Sequence, residues 1–415
     1  YLYLNISNNT FTYSIDNNIP EILLSIKDSS NNEITSVSGL TYKTVTDGKG
    51  ASIKGFDITK KSGLITILNN REITTTSTKT EEWNVTVTFV NYNSNQAGNA
   101  GKNFTAKLMI QKEEFKESVA TVCSNGQTLS SCIIAMDGKD DTLYHHTSSL
   151  ANGAGDNSYR YAGPSDSVNN FVCFGTNESP CPTDNLYRII GVIDGKVKLI
   201  KYDYASNTLL GTDGDYSADA ATAGMPTDNY KGTKEMSDIG VYYWNYKADT
   251  RNYNNTWSTS LLNQTNLNTN FLNNVGEKWS NKIATTTWRV GGAKDDFTTP
   301  SEAYQNERLN NTMEYETKKI GLMYVTDYGY AATPSDWTII IGAITNNNWM
   351  YMGGTEWTVT RVTTDSDNVF CVFSDGLVDL GSVDLEFAIR IVFNLESSVT
   401  YVSGSGSMSD PIIIN

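Results

Sequence analysis

The chain has 415 residues, of which 39% are hydrophobic, 11% aromatic and only 19% charged; that is enough for two or three domains with real cores and too aromatic for a disordered chain. Its formal charge of −15 comes without any Lys/Arg cluster, which excludes the basic face that a nucleic-acid binder needs and sets the chain against anionic membrane surfaces. No apolar run approaches the ~20 residues of a membrane-spanning helix, and no signal peptide opens the sequence, so the expectation is an extracellular fragment without membrane contact, trimmed of an export signal and a cell-surface anchor.

Residues 1–113 alternate short β-branched runs with turn signals. The runs begin at Glu21 (EILLSIKD), Gly63 (GLITILNN), Trp83 (WNVTVTFVNY) and Phe104 (FTAKLMIQK), and Asp47-Gly48 and Ser62-Gly63 supply turns. In the third run Val85, Val87 and Phe89 share one face while Asn84, Thr86 and Thr88 take the other. Strands at this spacing predict a β-sandwich. The charged stretch from Gln111 to Ser118 (QKEEFKES) reads as a domain boundary, with 114–118 as the linker.

Residues 119–415 carry seven of the eight tryptophans, the mark of a large aromatic core. Tyr187–Ile193 and Lys196–Lys201 flank Asp194-Gly195, and Val369–Ser374 and Leu377–Val383 flank Asp375-Gly376; both read as β-hairpins. Between them, Leu267, Phe271, Leu272, Val275 and Trp279 recur at helical steps. Five cysteines are present. Cys123 and Cys132, and Cys173 and Cys181, lie nine and eight residues apart, which fits two local disulfides better than zinc-binding CxxC pairs and implies an oxidising compartment; Cys371 is left over.

Catalytic chemistry finds little support. His145 and His146 are the only histidines, and adjacent side chains diverge on a helix or a strand. Asp137, Asp140 and Asp141, then Asp213, Asp215 and Asp219, then Asp365 and Asp367 form acidic turns, but none has the spacing of an EF-hand. No nucleotide-binding glycine motif, P-loop or nucleophile elbow is present. The expectation is a binding protein with no catalytic residue, no metal and no cofactor.

Several phrases stand together in the second region: SLANGAGDNSYRYAG from Ser149, CPTDNLYRIIGVIDGKVKLIKYD from Cys181, KIGLMYVTDYGYAA from Lys319, NNNWMYMGGTEWTV from Asn346 and AIRIVFNLESSVTYVSGSGSMSDP from Ala388. As a set they resemble the C-terminal module of Gram-positive gut-bacterial surface proteins, which is similar to the variable proteins of diversity-generating retroelements. The resemblance implies a C-type lectin (formylglycine-generating-enzyme-like) α+β fold over 119–415. In the first region, GFDITKKSGLITI resembles a phrase of bacterial immunoglobulin-like and cadherin-like repeats. The fold class implied is mainly β with some α, an immunoglobulin-like sandwich followed by the lectin-type module. One departure is Arg390-Ile391-Val392, where the family often has Arg-Pro-Val.

In that family, error-prone copying at adenines turns chosen Asn codons into codons ending in a pyrimidine, which cannot encode Glu, Lys, Gln, Met or Trp. Between Gly353 and Ala388 only Glu356, Trp357 and Glu386 break that restriction, three of 36 positions, against seven in the preceding 36. The contrast locates the implied variable surface there, with Glu356 and Trp357 as scaffold. Its candidate ligand contacts are Gly354, Thr355, Thr360, Arg361, Val362, Phe370, Cys371, Phe373, Leu377, Asp379, Leu380, Gly381, Asp384, Leu385 and Phe387. The function implied is a bacterial cell-surface receptor or adhesin for a protein or glycan on another cell, host or phage; the alternative is a non-diversified stalk or pilus-tip subunit.

Overall fold

The computed structural model describes residues 1–72, 78, 80–111, 117–246, 254–294, 299–309, 314–339 and 347–415. The chain divides into two compact units, Tyr1–Lys116 and Glu117–Asn415. Of the charged linker 114–118 expected from sequence, 114–116 lie outside the described residues; Glu117 and Ser118 open the second unit.

The first unit holds β1 (Leu2–Asn9), β2 (Ile22–Lys27), β3 (Tyr42–Thr46), β4 (Ser52–Asp57), β5 (Gly63–Leu68), β6 (Asn84–Phe89) and β7 (Phe104–Ile110). They form two antiparallel sheets, ordered β5-β1-β7 and β3-β4-β2-β6. Both sheets feed one core: Leu2, Leu4 and Ile6 from β1, Ile22, Leu24 and Ile26 from β2, and Phe56, Ile65 and Ile67. The period-2 pattern of β6 half-buries Val85 and Val87. At the strand end Phe89 remains 53% exposed, although its ring meets Phe11 and Phe104 at 5.4 and 5.9 Å.

The second unit continues with β8 (Leu143–His145), β9 (Tyr159–Tyr161), β10 (Phe171–Cys173), β11 (Leu186–Ile193), β12 (Lys196–Lys201), β13 (Tyr216–Asp219), β14 (Gly240–Tyr242), β15 (Thr286–Val290), β16 (Gly292–Ala293), β17 (Glu314–Lys318) and β18 (Ile320–Gly321). It ends with β19 (Glu356–Val362), β20 (Asn368–Val372), β21 (Val378–Ser382), β22 (Phe387–Ala388), β23 (Val392–Asn394), β24 (Tyr401–Ser403) and β25 (Ile413–Ile414). One sheet runs β18-β23-β12-β11-β9-β8 and a second runs β13-β14-β22-β19-β20-β21. The molecule is therefore mainly β with some helix, in several sheets.

The hairpin expected at Asp194-Gly195 is the centre of the first of these sheets. Asp194 and Gly195 take left-handed φ of 51° and 74°, which matches a two-residue turn to the twist of its strands. All eight residues of β11 are buried. Gly191 is required there, because a Cβ would stand 2.1 Å from the Tyr159 carbonyl oxygen on β9.

The helical pattern after Ser260 becomes a π-helical stretch, Leu262–Phe271, followed by short α-helices Leu272–Val275 and Glu277–Ser280. The widening has a local cause: the Asn268 amide and the Thr269 hydroxyl both donate to carbonyls five residues back, Asn263 and Gln264. Leu267, Phe271 and Trp279 are buried, as the pattern predicts, and Leu272 and Val275 half-buried. Trp244, Trp257, Trp279, Trp288, Trp337, Trp349 and Trp357 are all buried.

Cys123 is bonded to Cys132 and Cys173 to Cys181, while Cys371 is a buried free thiol. Among the described residues no helix is long and apolar enough to cross a membrane. Each disulfide closes a loop of roughly ten residues, so each should stabilise the unit by on the order of 2–3 kcal/mol. Alkylation of the denatured, unreduced chain should label Cys371 alone; labelling at the other four cysteines would contradict the pairing.

Candidate binding surface

β19, β20 and β21 form an antiparallel edge of the second sheet. Trp357 stands opposite Cys371 and Cys371 opposite Asp379, while Phe370 pairs with Leu380 and Val372 with Val378. The turn is longer than the two residues expected. The Phe373 N–H donates to the Leu377 carbonyl at 2.8 Å, the Gly376 N–H donates to the Phe373 carbonyl at 2.9 Å, and Gly376 alone is left-handed, with φ of 85°. Two hydroxyls hold the turn from outside the hairpin: Tyr351 donates to the Ser374 carbonyl at 2.6 Å and Tyr328 to the Gly376 carbonyl at 3.2 Å.

Alternation gives the sheet edge two faces. On one, the Trp357 ring is fully covered; its indole N–H donates to the Tyr242 carbonyl at 2.7 Å and Phe387 lies 4.4 Å from it. Phe373 then meets Phe387 at 6.1 Å. Gly381 makes this stack possible, since a Cβ there would press on the Trp357 and Phe387 rings and the Cys371 sulfur.

Not all the expected contact residues reach this surface. Gly354, Thr355, Thr360, Val362, Phe370, Cys371 and Gly381 are buried and are corrected to scaffold. The Gly354 N–H donates to the Tyr204 hydroxyl at 2.9 Å, and the Thr355 carbonyl accepts from the Ala388 N–H. Thr360 donates to Glu307 at 2.5 Å and accepts from the Val325 N–H at 3.1 Å. Val362 and Phe370 belong to the main apolar core. Cys371 packs against the Asp379 carbonyl, and burial pushes its thiol far above the usual range, so it is inert.

Arg361 is half-buried against Glu314 at 3.4 Å. Leu377, Asp379 and Asp384 are half-buried; Asp379 accepts from the Leu380 N–H at 2.7 Å and Asp384 from the Ser382 hydroxyl at 2.5 Å. Phe373, Leu380 and Phe387 are half-buried, and Leu385 is 44% exposed. Tertiary structure adds neighbours that sequence spacing does not reveal. Glu386 accepts from the Ser217 hydroxyl at 2.5 Å and from the Tyr243 hydroxyl at 3.0 Å, and Tyr243 packs edge-on against Tyr246 at 4.7 Å.

The acidic turns brace backbone. Asp140 accepts from the Thr142 N–H and hydroxyl, Asp219 from Thr222, and Asp365 from the Asp367 N–H; Asp215 is buried and accepts from the Leu262 N–H. Among the described residues no three His, Cys, Asp or Glu side chains group as a metal site. His145 is half-exposed and stacks on Tyr159. His146 is fully buried, accepts from the Ala154 N–H at Nδ1, and is pushed down to about 3 by burial, so it is neutral.

No family model, no curated protein and no solved structure matches the chain.

Trp357→Ala should cost about 3–5 kcal/mol, as a buried aromatic does, whereas Phe373→Ala at the half-covered edge should cost under ~2 kcal/mol. Urea denaturation of both variants checks the order, and a reversed order would exchange scaffold and display face. Glu307 supplies a second prediction. Burial pushes its carboxyl up to about 7 in spite of donors from Thr326 and Thr360. A raised folded value means that its contribution is complete below the ordinary carboxyl range and is lost as pH rises through 7. Glu307→Gln should therefore flatten the fall in stability between about pH 4.5 and 7, a difference on the order of 3 kcal/mol, read from denaturation midpoints across that range.

Proposed function

We propose that this chain is the extracellular part of a bacterial surface protein, an immunoglobulin-like spacer followed by a C-type-lectin-fold module that binds a protein or glycan ligand. The observation that carries the reading is the pair of partly open rings Phe373 and Phe387, with exposed Leu385 two residues before Phe387 in the chain. These side chains are partly open to solvent over a scaffold of Trp357, Cys371 and Gly381 that is completely buried. Apolar area left open to solvent is characteristic of interaction sites. Asp379, Asp384 and Glu386 of the same segment supply the polar rim such sites have.

Two disulfides in the second unit support an extracellular location. Diversification by a retroelement, on this reading, acts through the outward subset Arg361, Phe373, Leu377, Asp379, Leu380, Asp384, Leu385 and Phe387. The buried members of the segment must stay fixed for the sheet to form.

The test combines genetics with binding. Sequencing the gene's surroundings should find a near-identical repeat and a reverse transcriptase, and its alleles should differ at the outward positions. On protein and glycan arrays, Leu385→Asp combined with Phe373→Ala should abolish whatever the unaltered chain captures. Unchanged capture by a folded double variant would place the ligand site elsewhere.

A further inference from the structure

A cavity of about 460 Å³ lies beside the Asp194-Gly195 turn, walled by β15, β17 and the start of β12. None of its walls belongs to the β20–β21 hairpin, so it is independent of the surface proposed above. Its size falls within the roughly 300–1,000 Å³ of small-molecule sites.

The wall is cationic in a chain of formal charge −15. Lys196, Lys198, Arg289 and Arg308 line it, against a single carboxylate, Asp194. Asp194 is largely exposed and holds Arg308 at 3.1 Å. Buried Lys198 shares Asp327 with Arg160, and Arg160 also pairs with Asp156 at 2.9 Å. Among the described residues, five cations (Arg160, Lys196, Lys198, Arg289, Arg308) thus face three carboxylates (Asp156, Asp194, Asp327), an excess of two. Counting Glu307 as ionised still leaves one. On neighbouring β17, Glu314 and Glu316 are occupied by Arg361 and Lys318.

Three donors in this wall are incompletely used among the described residues. The Lys196 side chain has no ion pair or hydrogen bond, Arg289 has no ion pair and donates to the Arg308 carbonyl, and the buried Nε of Arg308 has no hydrogen-bond partner. The excess charge also acts on Lys198. Burial pushes its ammonium down to about 8 in spite of Asp327, and Arg308 and Arg160 push in the same direction.

The remaining lining decides the kind of anion. Tyr315 stands at the rim, 57% exposed, with the Arg289 guanidinium 6.0 Å from its ring. Thr285, Thr286 and Thr287 also line it; their side chains alternate in direction along the strand, and the Thr286 hydroxyl accepts from the Asn394 amide at 3.4 Å. An exposed aromatic face beside hydroxyls and cations suits a ring that has an apolar face, several hydroxyls and a negative charge. A compact inorganic anion would use the cations alone.

We propose that this cavity binds a carboxylated sugar, with its carboxylate against Lys196, Arg289 and Arg308 and its ring over Tyr315. Titration calorimetry at low salt, using the full chain, tests this with glucuronic acid and N-acetylneuraminic acid, with glucose as the uncharged control and inorganic phosphate as the bare anion. At least one sugar acid should bind, and glucose should be weaker by roughly tenfold or more. Lys196→Gln and Arg308→Gln should each weaken the acid several-fold. Lys196 is half-exposed, so its variant keeps the test usable if Arg308→Gln unfolds. Tyr315→Ala should weaken the sugar acid and leave phosphate unchanged. Leu385→Asp, aimed at the hairpin surface, should leave this binding intact. Failure of both sugar acids to bind at millimolar concentration overturns the proposal, as does phosphate binding more tightly than either acid with Tyr315→Ala silent.

Discussion

The second unit turns on one buried ion pair. Arg390 sits in the three-residue crossing between β22, in one sheet, and β23, in the other. Its Nε and Nη2 donate to the two carboxylate oxygens of Glu356 on β19 at 2.7 and 2.6 Å, and Nη2 also donates to the Met350 carbonyl at 2.6 Å. Both side chains are almost completely buried. Two charges withdrawn from water are tolerable only with this fork geometry, and loss of one partner would strand the other. The pair therefore fixes three things together: the crossing between sheets, the start of β19 and the loop that precedes it. The hairpin surface inherits its position from that arrangement.

A second buried guanidinium completes the support without any carboxylate. Arg188 lies between the Phe171 and Trp349 rings at 4.4 and 4.6 Å. Its N–H groups donate to Asn170, to the Ser165 hydroxyl and to the carbonyls of Ser165, Val168 and Trp349. Burial lowers the guanidinium to about 9, a cost that complete hydrogen bonding and two aromatic faces offset. Arg188 thereby ties central strand β11 to the segment around Trp349, seven residues before Glu356. Specificity of packing in this unit is carried by cations and indole N–H groups as much as by aliphatic fit.

Net charge and local charge diverge in this molecule. Many of the acidic groups lie in surface turns, where they brace backbone N–H groups and are solvated. Several cations lie inside, along β11 and β12, where their stems pack and their heads find aromatic faces. The formal charge thus describes solubility and the choice of partners at long range, while a cleft can present the opposite sign at short range.

The sequence by itself determined the division near residue 113, four of the seven strands of the first unit, the hairpin at Asp194-Gly195, both disulfides and the burial of Trp349 and Trp357. These depend on local signals: turn chemistry, period-2 alternation, short loop closure and large apolar volume. The display face was only partly legible. Between Gly353 and Ala388, codon compatibility marks what a side chain is allowed to be, not where it points. Thr360 and Cys371 satisfy the codon restriction, yet β19 and β20 are interior enough to bury them. The partners of Glu386, the cluster of cations around the cavity beside Asp194 and the Arg390–Glu356 pin bring together residues 34 to more than 160 positions apart. Only tertiary structure could decide them, because alternation within a strand fixes which side chains share a face, but not which strand lies beside it or what covers that face.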